Sequence, residues 1–430
     1  MNETVITDKG GSSESPLEFL TKILSNLSDK IKTKKIFGGL LIKNFGPLSA
    51  VYIEINKLNL IIGDNNSGKS TINKMLSVFL DITISGKKEE QVRKSFTDSE
   101  INYFNDESFI VFVSAINTII ISKTDCFIHS ALEPESNKKI LDAIDKLELH
   151  HGIEIALEKA KKLSIIEDDN LAFLKKVHED MGNVSQPINQ LLPIYIPAER
   201  NLLSILSGSL FSLMNADIPL SKTLIRFGSS YEIARKRINS IKSPIMDISY
   251  QYENGKDVIS FSESGKLNLS ESSSSIQATI PLFIVLEHLG RTETANILVE
   301  EPEMNLFPKM QKKMANYLST FCSGSFLNTV VITTHSPYIL SAFNNLIVAG
   351  TLAQEKPELV EEIASIIPQQ SWIKYDDVSA YVLENGTARS ILDPEWQAIV
   401  ADEIDKASEE IGQEYDQLLE LKYRGHSADE

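Results

Sequence analysis

From residue 40 the chain runs through three short apolar stretches, "LLIKNF", "AVYIEI" and "LNLII", parted by brief polar breaks. Each has strand length, and together they predict three consecutive strands. "TINKMLSVFL" follows with apolar residues at helical spacing. From 85 to 189 Lys, Glu, Leu and Ile recur at helical spacing with few glycines, most clearly in "KKILDAIDKLELHHGIEIALEKAKKL". The pattern predicts a helical insertion, and the lack of sustained heptads argues against a long coiled coil. Sheet character returns at "LPIYIPAER". "DISYQYENGKDVISFSESGKLNLS" alternates with period two around Asn254-Gly255 and Ser264-Gly265, which predicts two successive hairpins. A serine run then opens a helix at "SSSSIQATIPLFIVLEHL". "NILVEEPEMNLFP" and "NTVVITTHSPYIL" read as buried strands, the first ending in acids and the second in a histidine; "SAYVLENGTARSI" reads as a late hairpin.

These elements predict an α/β fold: a mixed sheet with flanking helices and antiparallel hairpins, interrupted by a helical insertion. The expected division is an N-terminal extension over 1–35, an α/β domain over 36–84 and 190–385, the insertion over 85–189, and an acidic helical tail over 386–430. Within the extension, 17–33 reads as a short amphipathic helix. No internal repeat is present.

Composition narrows the setting. The net charge of −17 argues against indiscriminate coating of DNA or anionic membrane. Two local basic stretches remain, "KIKTKK" (Lys30 to Lys35) and "RKRINSIK" (Arg235 to Lys242, with Arg226 nearby). Solvated helix faces account for them more simply than a groove for nucleic acid, which is left open as a ligand. The two cysteines, Cys126 and Cys322, lie far apart without metal spacing, as expected in a reducing compartment. The polar N-terminus does not read as a signal peptide, and no apolar run approaches the ~20 residues that span a bilayer. A cytoplasmic protein with no membrane partner is the expectation.

"LIIGDNNSGKST" carries the first chemistry. Gly-x-x-x-x-Gly-Lys-Ser, between an apolar strand and an apolar helix, is the context of a phosphate-binding loop. Glycines let the backbone curl so that N–H groups point inward, and the helix N-terminus adds positive potential. Gly63, Asp64, Asn65, Asn66, Ser67, Gly68, Lys69, Ser70 and Thr71 form the candidate cradle, with Lys69 reaching the outer phosphates and Ser70 ligating Mg2+. A nucleoside triphosphate is the expected ligand.

Glu300 and Glu301 end an apolar strand, where adjacent acids are costly without a cation nearby. Glu300 suits the metal side, and Glu301 suits the general base that activates water. His335, after a second buried strand, would face the nucleotide crevice and hold the terminal phosphate or the attacking water. The serines of "SESSSSIQ" open a helix and make a second anion site, suited to capping a phosphate bound by another subunit.

The order "NFGPL…LNLIIGDNNSGKST", "YIPAER", serine-rich signature, "VEEPEMNLFP", "TTHSPYIL" resembles ABC-type ATPases of the SMC/RecF/OLD-like group. That group includes the ATPase subunits of the Septu (PtuA-like) and PARIS (AriA-like) anti-phage systems. The resemblance covers roughly 36–80 and 190–385. It implies ATP with Mg2+ as cofactors, sandwiched between head-to-tail subunits of a homodimer or higher even-numbered oligomer. By resemblance, Lys69 and Ser70 belong to Walker A, Glu300 and Glu301 to Walker B, Ser274, Ser275 and Gln277 to the signature, and His335 is the switch histidine. Arg200 of "PAER" matches a family arginine at a strand end and is taken with the nucleotide-binding set. Three departures stand out: Ser275 replaces the usual glycine, Glu300 replaces the more usual aspartate, and no convincing Q-loop glutamine is present. The sequence after the ATPase motifs has no room for a TOPRIM nuclease, so an effector of HNH or TOPRIM type is expected as a separate chain. The function expected is an ATPase that regulates this effector in anti-phage defence. A DNA repair ATPase of the RecF/SMC type and a non-hydrolysing ATP-dependent scaffold are the alternatives.

Overall fold

A computed structural model of the chain describes residues 37–81, 83–84, 87–114, 117–130, 193–206, 220–261, 265–290, 296–323, 329–400 and 414–418. The expected strands form as β1 (Gly38–Phe45), β2 (Leu48–Ile55) and β3 (Leu58–Gly63). A tight turn then opens α1 (Lys69–Phe79), which is followed by α2 (Glu89–Asp98). Next come β4 (Phe109–Ser114), β5 (Asn117–Ser122) and β6 (Cys126–Ser130). These three strands correct the helical reading of the front of 85–189. They pair antiparallel with one another and, through β4, with β1. The reason is local: "FIVFV", "TIII" and "CFI" are dense in β-branched and aromatic residues, which pack well on a pleated surface. The clearest helical periodicity, 138–163, lies outside the described residues, as do the expected helix over 17–33 and the first basic stretch.

β7 (Ile194–Ile196) leads into α3 (Asn201–Leu206) and α4 (Lys222–Ile238). The two predicted hairpins appear as β9 (Ile248–Glu253), β10 (Lys256–Phe261) and β11 (Gly265–Asn268); β8 (Ser240–Lys242) completes their four-stranded sheet. α5 (Ser274–Leu289), β12 (Asn296–Glu300), α6 (Pro308–Ser319), β13 (Thr329–Thr334), α7 (Pro337–Glu355) and α8 (Val360–Ile366) follow. The last strands are β14 (Val378–Glu384), β15 (Thr387–Ser390), β16 (Leu392–Asp393) and β17 (Ala398–Ile399). Residues 386–400 are therefore not part of a helical tail. β15 pairs with β14 in the main sheet, and Val400 N–H donates to Ile391 O at 2.8 Å.

The main sheet has eleven strands in the order β6-β5-β4-β1-β2-β15-β14-β3-β13-β12-β7. β14, β3, β13, β12 and β7 run parallel. Both faces of this parallel part are covered, so its strands are almost uninterruptedly apolar. Ile297 and Val299 point into one core while Leu298 points into the other, and Val330, Ile332 and Val331 divide in the same way. One core takes α5, α6 and α7; the second takes α1, through Ile72, Met75, Leu76 and Phe79, together with the antiparallel wing. In that second core Phe79 stacks on Phe112 at 5.0 Å between centroids and meets Phe96 edge-on at 5.6 Å.

α4 is fastened to the small sheet by a buried pair, Arg235 Nη1 to Asp257 Oδ2 at 2.8 Å, with the guanidinium over the rings of Tyr231 and Tyr252. Arg235 is thus a core residue and not part of a basic surface. Arg226 is bound to Asp98 at 3.3 Å.

Candidate functional site

β3 ends at Gly63 between β14 and β13, and the loop that follows curls back into α1. A Cβ at Gly63 would lie 2.5 Å from the carbonyl oxygen of Leu383 on β14, so only glycine fits there. Asn66 (φ +64°) and Gly68 (φ +100°) supply the left-handed backbone that turns the loop inward. α1 then begins with no side-chain cap and no acid in its first turn, which leaves its first N–H groups for an anion. Ser67 Oγ is buried without a partner. Lys69 is buried too, and its Nζ donates to Gly63 O at 2.8 Å and Asp64 O at 2.7 Å. Burial lowers the Lys69 pKa, while Glu301, Asp64, Glu303 and Glu300 oppose that shift.

β12 and β13 run side by side next to β3, so their ends open beside this loop. Glu300, the last residue of β12, is buried, and its Oε1 has no partner. Burial raises its pKa; the neighbouring hydroxyls of Tyr195 and Ser70 draw it back. A buried carboxylate beside Ser70 with a vacant oxygen fits a magnesium ion carried in on phosphates. Among the described residues no cluster of three or more His, Cys, Asp or Glu could hold a metal ion.

Glu301 is the first residue of the turn after β12 and has φ +43°, a left-handed backbone for a side chain of this size. It is held there from both sides: its N–H donates to Thr333 O at 2.9 Å, and its carbonyl accepts from Arg200 Nη2 at 2.8 Å. Its carboxylate lies 3.4 Å from His335 Nε2, with both side chains about one-third exposed. The expected base and the expected switch histidine thus meet, although 34 residues separate them.

Arg200 departs from the sequence reading. It is fully buried, and its guanidinium donates to Ala278 O at 2.9 Å, Pro197 O at 3.0 Å, Glu300 O at 2.7 Å and Glu301 O at 2.8 Å. Burial pulls its pKa down to about 10, so it stays charged at neutral pH. A guanidinium spent on four backbone carbonyls is a clamp behind the site and not a group that touches nucleotide. Gln277 is likewise committed: its Nε2 donates to Ser270 O and Ser272 O, both at 2.9 Å, folding the serine loop onto α5. Ser274 is exposed, Ser275 is half-buried, and the first turn of α5 carries no acid. No hydrogen bond among the described residues joins these serines to the phosphate loop. Two neighbours escaped the sequence reading. Tyr195 was hidden in an apolar run; Glu303, the third acid of "EEPE", was visible as an acid but not as a partner of the His335 turn.

An SMC head domain from Thermotoga maritima is similar over 83% of this chain and 98% of its own length, at 12% identity and a TM-score of 0.35. An SMC head bound to the C-winged helix domain of ScpA is similar over 84% and 99%, at 12% identity and a TM-score of 0.37. A nucleotide-free ATP-binding cassette from an ABC transporter covers 84% and 93%, at 13% identity and a TM-score of 0.31. No curated protein matches the chain. The profile of the AAA ATPase domain matches residues 39–192 and 201–340, which take in the phosphate loop, Glu300, Glu301 and His335. With well over half its length inside that profile, the chain belongs to the AAA ATPase domain family.

Proposed function

We propose that this ATPase domain hydrolyses the ATP it binds, with Glu301 as general base and His335 holding the attacking water or the terminal phosphate. The meeting of Glu301 and His335 at 3.4 Å beside the phosphate loop carries the reading. Lys69, now on the Gly63 and Asp64 carbonyls, would turn to the outer phosphates, and Ser70 and Glu300 would hold Mg2+, which when bound would offset negative charge on the phosphates. Glu301 would take a proton from the water whose oxygen bonds to the terminal phosphorus, as the bond from that phosphorus to the bridging oxygen breaks and ADP leaves with its electron pair.

ATP also draws two copies together head to tail, so that the acid-free first turn of α5 in one copy caps the phosphates held by the other. The cycle of closing and opening governs a separate effector of nuclease type in anti-phage defence. The order of the five motifs resembles that of the SMC/RecF/OLD-like group, which includes the Septu and PARIS ATPase subunits, and this supports that role.

Glu301→Gln keeps the shape of the side chain and removes the base. Turnover is expected to fall by about 100-fold or more. ATP affinity should stay within about threefold, and light scattering with ATP should show the dimer accumulating. A variant that hydrolyses ATP like the wild type would contradict the role of Glu301. A wild-type protein that binds ATP without turnover would instead be a scaffold.

A further inference from the structure

We infer that Glu303 is a positioning residue that sets His335 against Glu301. The inference rests on the proposed hydrolysis, and it assigns the device that holds two strand ends in register for it.

β12 leaves the sheet through the turn 301–305, in which Met304 N–H donates to Glu301 O at 3.1 Å and Asn305 takes φ +61°. That turn carries the Glu303 side chain across to the exit of the neighbouring strand. Glu303 Oε1 there accepts two bonds, from Thr334 Oγ1 at 2.7 Å and from the His335 N–H at 2.8 Å. The contact is continued on both sides. Thr334 Oγ1 accepts from the Ser336 N–H at 2.9 Å, and Ser336 Oγ caps α7 by accepting from the N–H groups of Tyr338 and Ile339. Ser336 Oγ also donates to Gln311 Oε1, and Gln311 Nε2 returns to Leu306 O at 2.9 Å, within the segment that follows Glu303. The result is a closed ring of hydrogen bonds running from the β12 turn to the end of β13, the start of α7, α6 and back.

Two features single out Glu303 within the ring. First, it grips the backbone of His335 itself, whose ring faces Glu301 at 3.4 Å. Second, its Oε2 is buried with no hydrogen-bond partner. Leaving a buried carboxylate oxygen unpaired costs stability, so stability alone gives a poor reason for an acid here. An acceptor that receives two donors at one oxygen, reaching across from the next strand, does give one. Misplacing a reacting group by about 1 Å costs on the order of 100-fold in rate.

Three variants test this, each read by steady-state ATP turnover and by backbone amide hydrogen exchange of the peptide spanning Thr333 to Tyr338. Glu303→Gln keeps the accepting oxygen and should retain turnover and exchange within about threefold of the wild type, since a neutral carbonyl-type oxygen still accepts both donors. Glu303→Ala should lower kcat by about tenfold or more with KM for ATP within about threefold, and should speed exchange of the His335 amide, because the Glu303 hydrogen bonds go to Thr334 and His335 and none goes to the phosphate loop. Glu303→Asp keeps the charge on a shorter arm and should behave like the alanine variant; it carries the test if Glu303→Ala does not fold. Turnover and exchange like the wild type in the aspartate or alanine variant overturn the proposal, as does a glutamine variant impaired as much as the alanine one. If the wild type shows no turnover, the hydrolytic reading fails separately, and exchange alone decides the role of Glu303.

Discussion

Lys69 spends its charge on its own loop, on the carbonyls of Gly63 and Asp64. An ammonium that is buried, and whose pKa burial lowers, gains a better partner in a phosphate than in two neutral carbonyls. Lys69→Ala removes that gain and cannot replace it. ATP affinity should fall by at least ~100-fold, the equivalent of about 3 kcal/mol. Calorimetric titration checks this, and an unchanged affinity would sink the phosphate-loop assignment.

Between elements, Arg200 acts as a bridge. It joins the end of β7, the end of β12 and the second turn of α5 through four carbonyls. One of them belongs to Glu301, whose left-handed backbone it helps to hold. Arg200→Ala takes a charged donor from each of these acceptors, although Glu301 O keeps the Met304 N–H, and a buried acceptor left unpaired costs about 1–3 kcal/mol. Relaxation and water entry recover part of that, so a loss of ~3–5 kcal/mol is expected, as for other broken buried charged networks. Urea unfolding measures it. Arg200→Lys should fall between, because one ammonium cannot reach three elements at once. A loss below about 1 kcal/mol in the alanine variant would be the size of a single ordinary hydrogen bond and would rule out the clamp.

At the scale of the whole molecule, chemistry and tail separate. Residues 402–430 hold ten carboxylates against three Lys or Arg. The nucleotide motifs end by His335, the main sheet takes its last strand at Thr387–Ser390, and the separate β16–β17 pair ends at Ile399. Packing of the tail on the core through Ile404, Ile411, Leu418 and Leu421 is a natural alternative on sequence alone; Ile404, Ile411 and Leu421 lie outside the described residues, while Leu418 is 64% exposed and its neighbour Tyr415 62%. Since the nucleotide motifs lie outside it, removing 402–430 should leave ATP affinity unchanged; if the tail serves a partner, the melting temperature should hold and capture of a basic partner surface, which would relieve repulsion among the acids, should weaken. A drop of several degrees in melting temperature without nucleotide would make the tail part of the core instead.

The local signals were strong where one short segment meets its own needs. Gly63 to Ser70 reads as a phosphate loop because glycine positions, a strand before and a helix after are all local. The hairpins at Asn254-Gly255 and around Gly265 were legible for the same reason: turn chemistry and period-two alternation sit within a few residues. Glu300, Glu301 and His335 could be named as candidates because acids or a histidine ending apolar runs are locally anomalous. What tertiary structure decided is which distant groups share a face. β4 to β6 look like the front of a helical region until β1 offers an edge to pair with, because strand propensity is realised only on a sheet. The arginine of "PAER" looks like an anion ligand until burial turns it toward carbonyls from residues 197 to 301. Glu303 is one more acid in a run until the parallel pairing of β12 with β13 brings it to the His335 amide. Sequence alone determined the chemistry this chain carries, since donors and acceptors are fixed by residue type; only the fold determined their partners, because hydrogen bonds act over about 3 Å and are blind to separation along the chain.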